Sequence, residues 1–191
     1  DFKLNSKERK SPGKIYFKAL VEDLKDAVKY TLEMRWILNL FAIFICLNFF
    51  ISLSISVPLP FIMNEVLMLE SSYFGLIQGA FPIGTIVGAL IIGKLDKGMD
   101  YLKNLTKMSA ITSLCMVLIG FPMMLSNLCA DFYLIYYSVI MMILGIAISF
   151  IDIPILYILQ MEIDDSYRGR VLSLGISMAK IISPVALLAS G

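Results

Sequence analysis

Four stretches of this chain, Ile37 to Asn64, Ser71 to Gly93, Met108 to Ala130 and Phe132 to Ile151, contain no charged residue. Each has at least the ~20 residues that a helix needs to cross the hydrocarbon core of a bilayer. Val171 to Gly191 makes a fifth, interrupted only by Lys180, and the fourth runs on past Asp152 to about Gln160 because no turn signal intervenes. In lipid every backbone N–H and C=O must be satisfied within the protein, which leaves helices and closed barrels as the spanning structures. Barrel strands alternate polar and apolar residues throughout. Here only Ile51 to Ser56 alternates, inside a much longer apolar run, so the segments read as helices. The expectation is an all-α, polytopic membrane domain over residues 37–191, with spans at about 37–63, 72–93, 108–129, 132–160 and 171–191, behind a linker over 1–36.

Composition narrows the function. With 59% apolar and 16% charged residues and a mean hydropathy of +0.83, the chain is far more apolar than a water-soluble domain. Histidine is absent, which removes the commonest general base, the usual catalytic triads and most zinc sites. No enzyme activity, metal or cofactor is therefore expected. Cys46, Cys115 and Cys129 are odd in number, lack CxxC spacing and lie in apolar segments, so they read as small apolar filler. Gly88 to Leu95 follows a phosphate-loop pattern as far as Lys94. Leu95 then stands where a Ser or Thr must hold magnesium, and the run is apolar and helical, so nucleotide binding is not expected. The sequon at Asn104 matters only if its loop faces an extracytoplasmic space.

The 16 Lys+Arg and 15 Asp+Glu sum to +1, but their placement is ordered. Nine basic residues fall in residues 1–36, four in Lys94 to Lys107, and Arg168 and Arg170 in Glu162 to Arg170. The remaining two connections carry only Glu65, Glu70 and Asp131. By the positive-inside rule the N-terminal segment and the second and fourth connections are cytoplasmic. Phe17, Leu20, Val21, Leu24, Val28 and Leu32 recur at helical spacing, with Lys18, Glu22, Lys25 and Lys29 on other faces. This amphipathic helix either lies on the inner leaflet, its lysines against anionic lipid, or packs against the membrane domain. Asp1 to Gly13 is polar and basic and reads as flexible linker. No signal peptide pattern opens the chain. It starts without Met and stops in an apolar stretch, so it is expected to be a piece of a longer protein.

Helical spacing sorts the polar residues of the spans onto seams. Asn48, Ser52 and Ser56 stand one turn apart in the first span; Ser138, Gly145, Ser149 and Asp152 share an arc of the fourth; Ser173, Ser177, Lys180 and Pro184 share one of the fifth. The second span carries Gly75, Gly79, Gly84 and Gly88, two small-xxx-small pairs that let backbones approach, together with Gln78 and Pro82. Most serines and glycines in such helices are packing and hydrogen-bond glue. Asp152 and Lys180 are different, because each costs roughly 2.5 to 3.5 kcal/mol at the centre of a span unless a partner or a wet cavity offsets it. Asp152 precedes Glu162 by ten residues and Lys180 follows Arg170 by ten, so both stand about 15 Å from the same turn. They are expected either to pair as a fixed ion pair holding the hairpin, or to serve a substrate or coupling ion in a shared wet cavity.

The run Gln160-Met161-Glu162-Ile163-Asp164-Asp165-Ser166-Tyr167-Arg168-Gly169-Arg170-Val171-Leu172-Ser173 resembles a signature of the major facilitator superfamily. It is similar in particular to that family's macrolide-efflux and enterobactin-export type, where a Gln ends the tenth helix, Gly-Arg-Val opens the eleventh and a Pro follows about one helix later, as Pro184 does here. The amphipathic run from Phe17 to Trp36 resembles the linker before the family's seventh helix. The chain departs from the pattern in having Asp164 where the family usually has Pro, and Asp96 one place early in the loop that begins at Gly93. The resemblance implies helices seven to eleven of a twelve-helix fold. In that fold the first and fourth spans line a central cavity, while the second and fifth rock against an N-terminal six-helix half.

It implies, further, a secondary transporter working by alternating access on an ion gradient, with substrate near the bilayer midplane. The expected function is proton-coupled efflux of a drug-like or siderophore-like organic compound. An importer of the same superfamily, a non-transporting membrane scaffold and an ion channel are the alternatives. Asp152, as the protonatable group, with Lys180, Asn48, Ser52, Gln78 and Ser149 are the expected substrate or proton pathway. Gly169, Arg170, Gly93 and Asp96 are the expected gating or loop motif. The expected partners are a small-molecule substrate, the bilayer and the N-terminal half, without nucleic acid; the complete protein is expected to be a monomer in the cell membrane of a bacterium.

Overall fold

The computed structural model describes residues 24–95, 101–124 and 129–190, and nearly all of them are helical. Helix α1 covers 24–33. Met34 interrupts it, and α2 follows at Arg35–Ile55. The first span does not continue as one straight helix. Pro58 and Pro60 have no N–H to offer the carbonyls of Ser54 and Ser56, so the ladder breaks at Ser56 and Val57. The chain resumes as the short α3, Pro58–Phe61, and a π-helical turn, Ile62–Val66. Met68 then takes a left-handed φ of 48° as the chain reverses.

Helix α4 spans Ser71–Lys94, α5 Tyr101–Gly120 with a 3₁₀ turn Phe121–Met124, α6 Ala130–Glu162 and α7 Asp165–Ser190. Among the described residues four helical stretches are long and apolar enough to cross a membrane: Arg35–Val66, Ser71–Lys94, Ala130–Glu162 and Asp165–Ala189. The third expected span, about 108–129, maps onto the apolar half of α5, the 3₁₀ turn and residues 125–128, which lie outside the described residues. Helices also start earlier than the charge pattern suggested. Lys103 and Lys107 lie within α5, while Arg168, Gly169 and Arg170 lie in the first turns of α7, so only Ile163 and Asp164 join α6 to α7. Asp165 in the first turn of α7 suits the positive end of the helix dipole and pairs with Arg168 at 2.6 Å.

The helices run alternately up and down around α6. Buried residues run along α6 from Tyr133 to Leu159, whereas in α2 only Ile37 and Phe41 are fully buried and most others are half-buried, so α6 is the central post. Contacts between α4 and α6 advance together, Gly84 with Met142 and Gly88 with Ile146, so the two are parallel. Contacts between α5 and α6 run in opposite directions, Asn104 with Phe150 and Tyr137 with Ile119. Helix α7 packs mainly on α2, in parallel, with the Phe41 ring over Gly175 and Ser52 beside Ser183. Although α6 and α7 are joined by two residues, they make little contact with each other.

Two apolar clusters hold the ends. Leu59, Met63, Ile77, Ile119, Tyr137 and Leu144 fill the end that carries Glu65, Glu70 and Asp131. Ala27, Ile37, Phe41, Ile155, Ile163 and Val171 fill the end that carries the basic residues. Between them Gly84, Gly88 and Gly145 bring α4 and α6 into backbone contact. A Cβ on Gly84 would run into the Met142 carbonyl, one on Gly145 into the Phe81 carbonyl, and one on Gly88 would stand 2.9 Å from Ser149 Cβ. The other glycine pair of α4, Gly75 and Gly79, meets nothing within 4 Å.

Candidate functional site

A cleft of about 220 Å³ opens between α2, α4 and α6. Ile51, Ser52, Ile55 and Ser56 line one wall; Gln78, Phe81 and Met141 line the other. The polar members come together because Ser52 and Ser56 are one turn apart at the end of α2, while Gln78 is seven residues into the parallel neighbour of α6. The Ser52 hydroxyl also meets that of Ser183 on α7 at 3.0 Å, which ties α2 to α7 behind the cleft. Asn48, the third residue of the same seam, turns its amide back to donate to the Phe44 carbonyl at 2.8 Å. Gln78 has further bonding capacity at this place. Pro82 cannot donate to its carbonyl, and no side chain does so among the described residues.

Ser149 stands elsewhere. It is buried in the seam between α4 and α6 and donates to the Thr85 carbonyl at 2.8 Å, while the Thr85 hydroxyl donates to the Pro82 carbonyl at 2.8 Å. Asp152, one turn further on, is half-buried and eleven residues beyond Met141, about 16 Å along α6 from the cleft. Among the described residues no hydrogen bond or ion pair reaches its carboxylate. Lys180 is exposed on α7, and no ion pair joins it to Asp152 among the described residues. The hairpin packing that would bring the two level is not the packing observed, since α7 leans on α2.

Asp152 is nonetheless specially placed, because it lies between Phe150 and Pro154. Pro154 has no N–H for the Phe150 carbonyl, and the Asn104 side chain of α5 supplies one at 2.9 Å. The same device recurs at Pro122, whose missing N–H would have served Leu118: the Tyr136 hydroxyl donates to that carbonyl at 2.8 Å. Neither donor stood out in the sequence, where Asn104 looked like part of a loop sequon. The signal available was a proline four residues after an apolar residue, which announces an orphan carbonyl but not what fills it.

Of the expected gating motif, Gly93 is exposed at the end of α4, Gly169 and Arg170 are exposed in the first turns of α7, and Asp96 lies outside the described residues. The Arg170 carbonyl accepts from the Ser173 hydroxyl at 2.9 Å. Gly88 to Lys94 is helical, with Gly88 packed against α6. All three cysteines are free, with Cys115 buried and Cys46 and Cys129 exposed.

Parallel and antiparallel apolar helices of membrane-spanning length, packed around a central post, define a polytopic α-helical membrane protein. Residues 3–186 match the Major Facilitator Superfamily, and the chain belongs to that family. The family is one of membrane transporters, and it points away from an enzyme. No curated protein and no solved structure matches the chain.

Proposed function

We propose that the chain belongs to a secondary active exporter that moves an amphipathic organic compound outward in exchange for protons, by alternating access. The observation that carries this reading is the mixed lining of the cleft, with Ser52, Ser56 and Gln78 set among Ile51, Ile55, Phe81 and Met141. Sites for organic ligands are mostly apolar, with a few polar groups that fix orientation. At about 220 Å³ the cleft suits one moiety of a drug-sized or siderophore-sized molecule, and six further helices of an N-terminal half would close it. Asp152 is the proton carrier: an unpaired carboxylate within a span is tolerated when it can be neutralised or reaches a wet cavity. Lys180 faces that second half or its water. The basic end is cytoplasmic by the positive-inside rule. The complete protein is a monomer in a bacterial cell membrane.

The test reconstitutes the intact transporter in proteoliposomes and follows a fluorescent amphipathic dye under an imposed pH gradient. Dye is expected to move against the proton gradient. Asp152→Asn should abolish gradient-driven accumulation while sparing exchange at equilibrium, and Ser52→Ala with Gln78→Ala should raise KM several-fold. Accumulation that survives collapse of the gradient would sink the coupling. Cysteines placed at Ser52 and Gln78 that never react with soluble thiol reagents would sink the cleft. Uptake only in right-side-out vesicles would make the protein an importer.

A further inference from the structure

We propose that α1 is a lipid-reading surface, its Leu24, Val28 and Leu32 stripe docked on a bilayer leaflet that Lys25 and Lys29 select for anionic headgroups. Of the expected amphipathic run, Phe17, Leu20 and Val21 lie outside the described residues. The remaining turns show how its two possible roles are divided between faces.

One face belongs to the protein. Ala27 is fully buried, Thr31 is 4% exposed, and Tyr30 stacks on Tyr167 of α7 with ring centroids 4.6 Å apart. These contacts fix the rotation of α1 about its own axis. With that rotation fixed, Leu24, Val28 and Leu32, one turn apart, point outward at 42%, 41% and 61% exposure. The stripe would meet water on a freely hanging linker, but α1 does not hang. Only Met34 separates it from α2, whose apolar run starts at Trp36, so two Cα–Cα links of about 3.8 Å each hold it at the membrane boundary.

The charges select the lipid. Lys25 and Lys29 are exposed and border the apolar stripe, where stems lie along acyl chains and ammonium groups reach phosphates. Arg35, Lys94, Lys107 and Arg168 stand at the same end of the bundle. Asp26 and Glu33 do not reverse this. Asp26 is about 200° around the helix from Val28 and faces away from the leaflet, and Glu33, one turn from Lys29 at the rim of the same stripe, leaves two lysines against one carboxylate on that face. Helix α1 thus has a protein face, a lipid face and a water face.

The experiment uses the intact transporter with Cys46, Cys115 and Cys129 replaced by Ala, reconstituted in neutral or anionic phospholipid bilayers. A polarity-sensitive dye is attached at Val28→Cys or, separately, at Asp26→Cys. The dye at position 28 should shift to the blue and be quenched by a lipid-borne spin label, more strongly in anionic bilayers, while the dye at 26 stays in water. Lys25→Gln and Lys29→Gln should each reduce the docked-to-undocked ratio about fivefold in anionic bilayers and leave neutral bilayers unchanged. Both substitutions spare the buried face, so folding is checked by unchanged gradient-driven dye transport. A blue-shifted dye at 28 that lipid quenchers cannot reach would mean protein covers the stripe. A water-exposed dye at 28, or indifference to lipid charge, would equally overturn the proposal.

Discussion

Ser149 and Asp152 sit one turn apart on α6 and meet opposite fates. The Ser149 hydroxyl is satisfied by the Thr85 carbonyl inside a tight seam, so Ser149→Ala should cost about 0.6 kcal/mol, the mean for such bonds in membranes, and should leave substrate affinity alone. Asp152 has no partner among the described residues, so its removal breaks nothing that holds the fold. Asp152→Asn is expected to leave thermal unfolding in detergent unchanged or slightly raised. Asp152→Asn and Lys180→Met should add within about 0.5 kcal/mol in the double variant. A coupling energy above 1 kcal/mol between them would establish the ion pair that their equal distance from the turn between α6 and α7 suggests. Helical spacing puts Ser149 and Asp152 on one arc of α6. Spacing along one helix does not say which neighbour covers which part of the arc, so the sequence could not separate the seam residue from the unpaired one.

At the scale of the element, the helices keep their prolines because neighbouring helices repair them. Asn104→Leu would orphan the Phe150 carbonyl inside the membrane at about 1–3 kcal/mol. Adding Pro154→Ala restores the helix's own donor, so most of that loss should return in the double variant, read as the midpoint of thermal unfolding. If Asn104→Leu is equally harmful with and without Pro154, the hydrogen bond is not what the asparagine contributes. Glycines make a second contrast. Gly84→Ala and Gly145→Ala press a Cβ against backbone carbonyls and should destabilise by about 1–3 kcal/mol, whereas Gly75→Ala and Gly79→Ala meet open space and should be close to neutral. The two pairs look alike in the sequence. What distinguishes them is the presence of α6 beside one and not the other, which depends on how α4 is rotated against a helix more than fifty residues away.

For the whole molecule, the helices alternate so that α2, α5 and α7 begin at the end where α4 and α6 finish, and the basic residues gather there. Cysteines placed at Glu65 and Lys94 should therefore react with an impermeant thiol reagent from opposite sides of sealed vesicles, Lys94 from the cytoplasmic side. Labelling of both from one side would overturn the up-and-down arrangement. The all-helical, polytopic character and the sorting of charge to alternate connections were settled by the sequence alone, because lipid forbids unsatisfied backbone and penalises charge wherever a segment lies within it. Which helix leans on which was settled only by tertiary packing. In lipid apolar side chains gain little by choosing one apolar neighbour over another, so the partners are decided by a few close-packed glycines and side-chain donors. Those features placed α6 between α4 and α5, moved α7 onto α2, and left Asp152 and Lys180 apart.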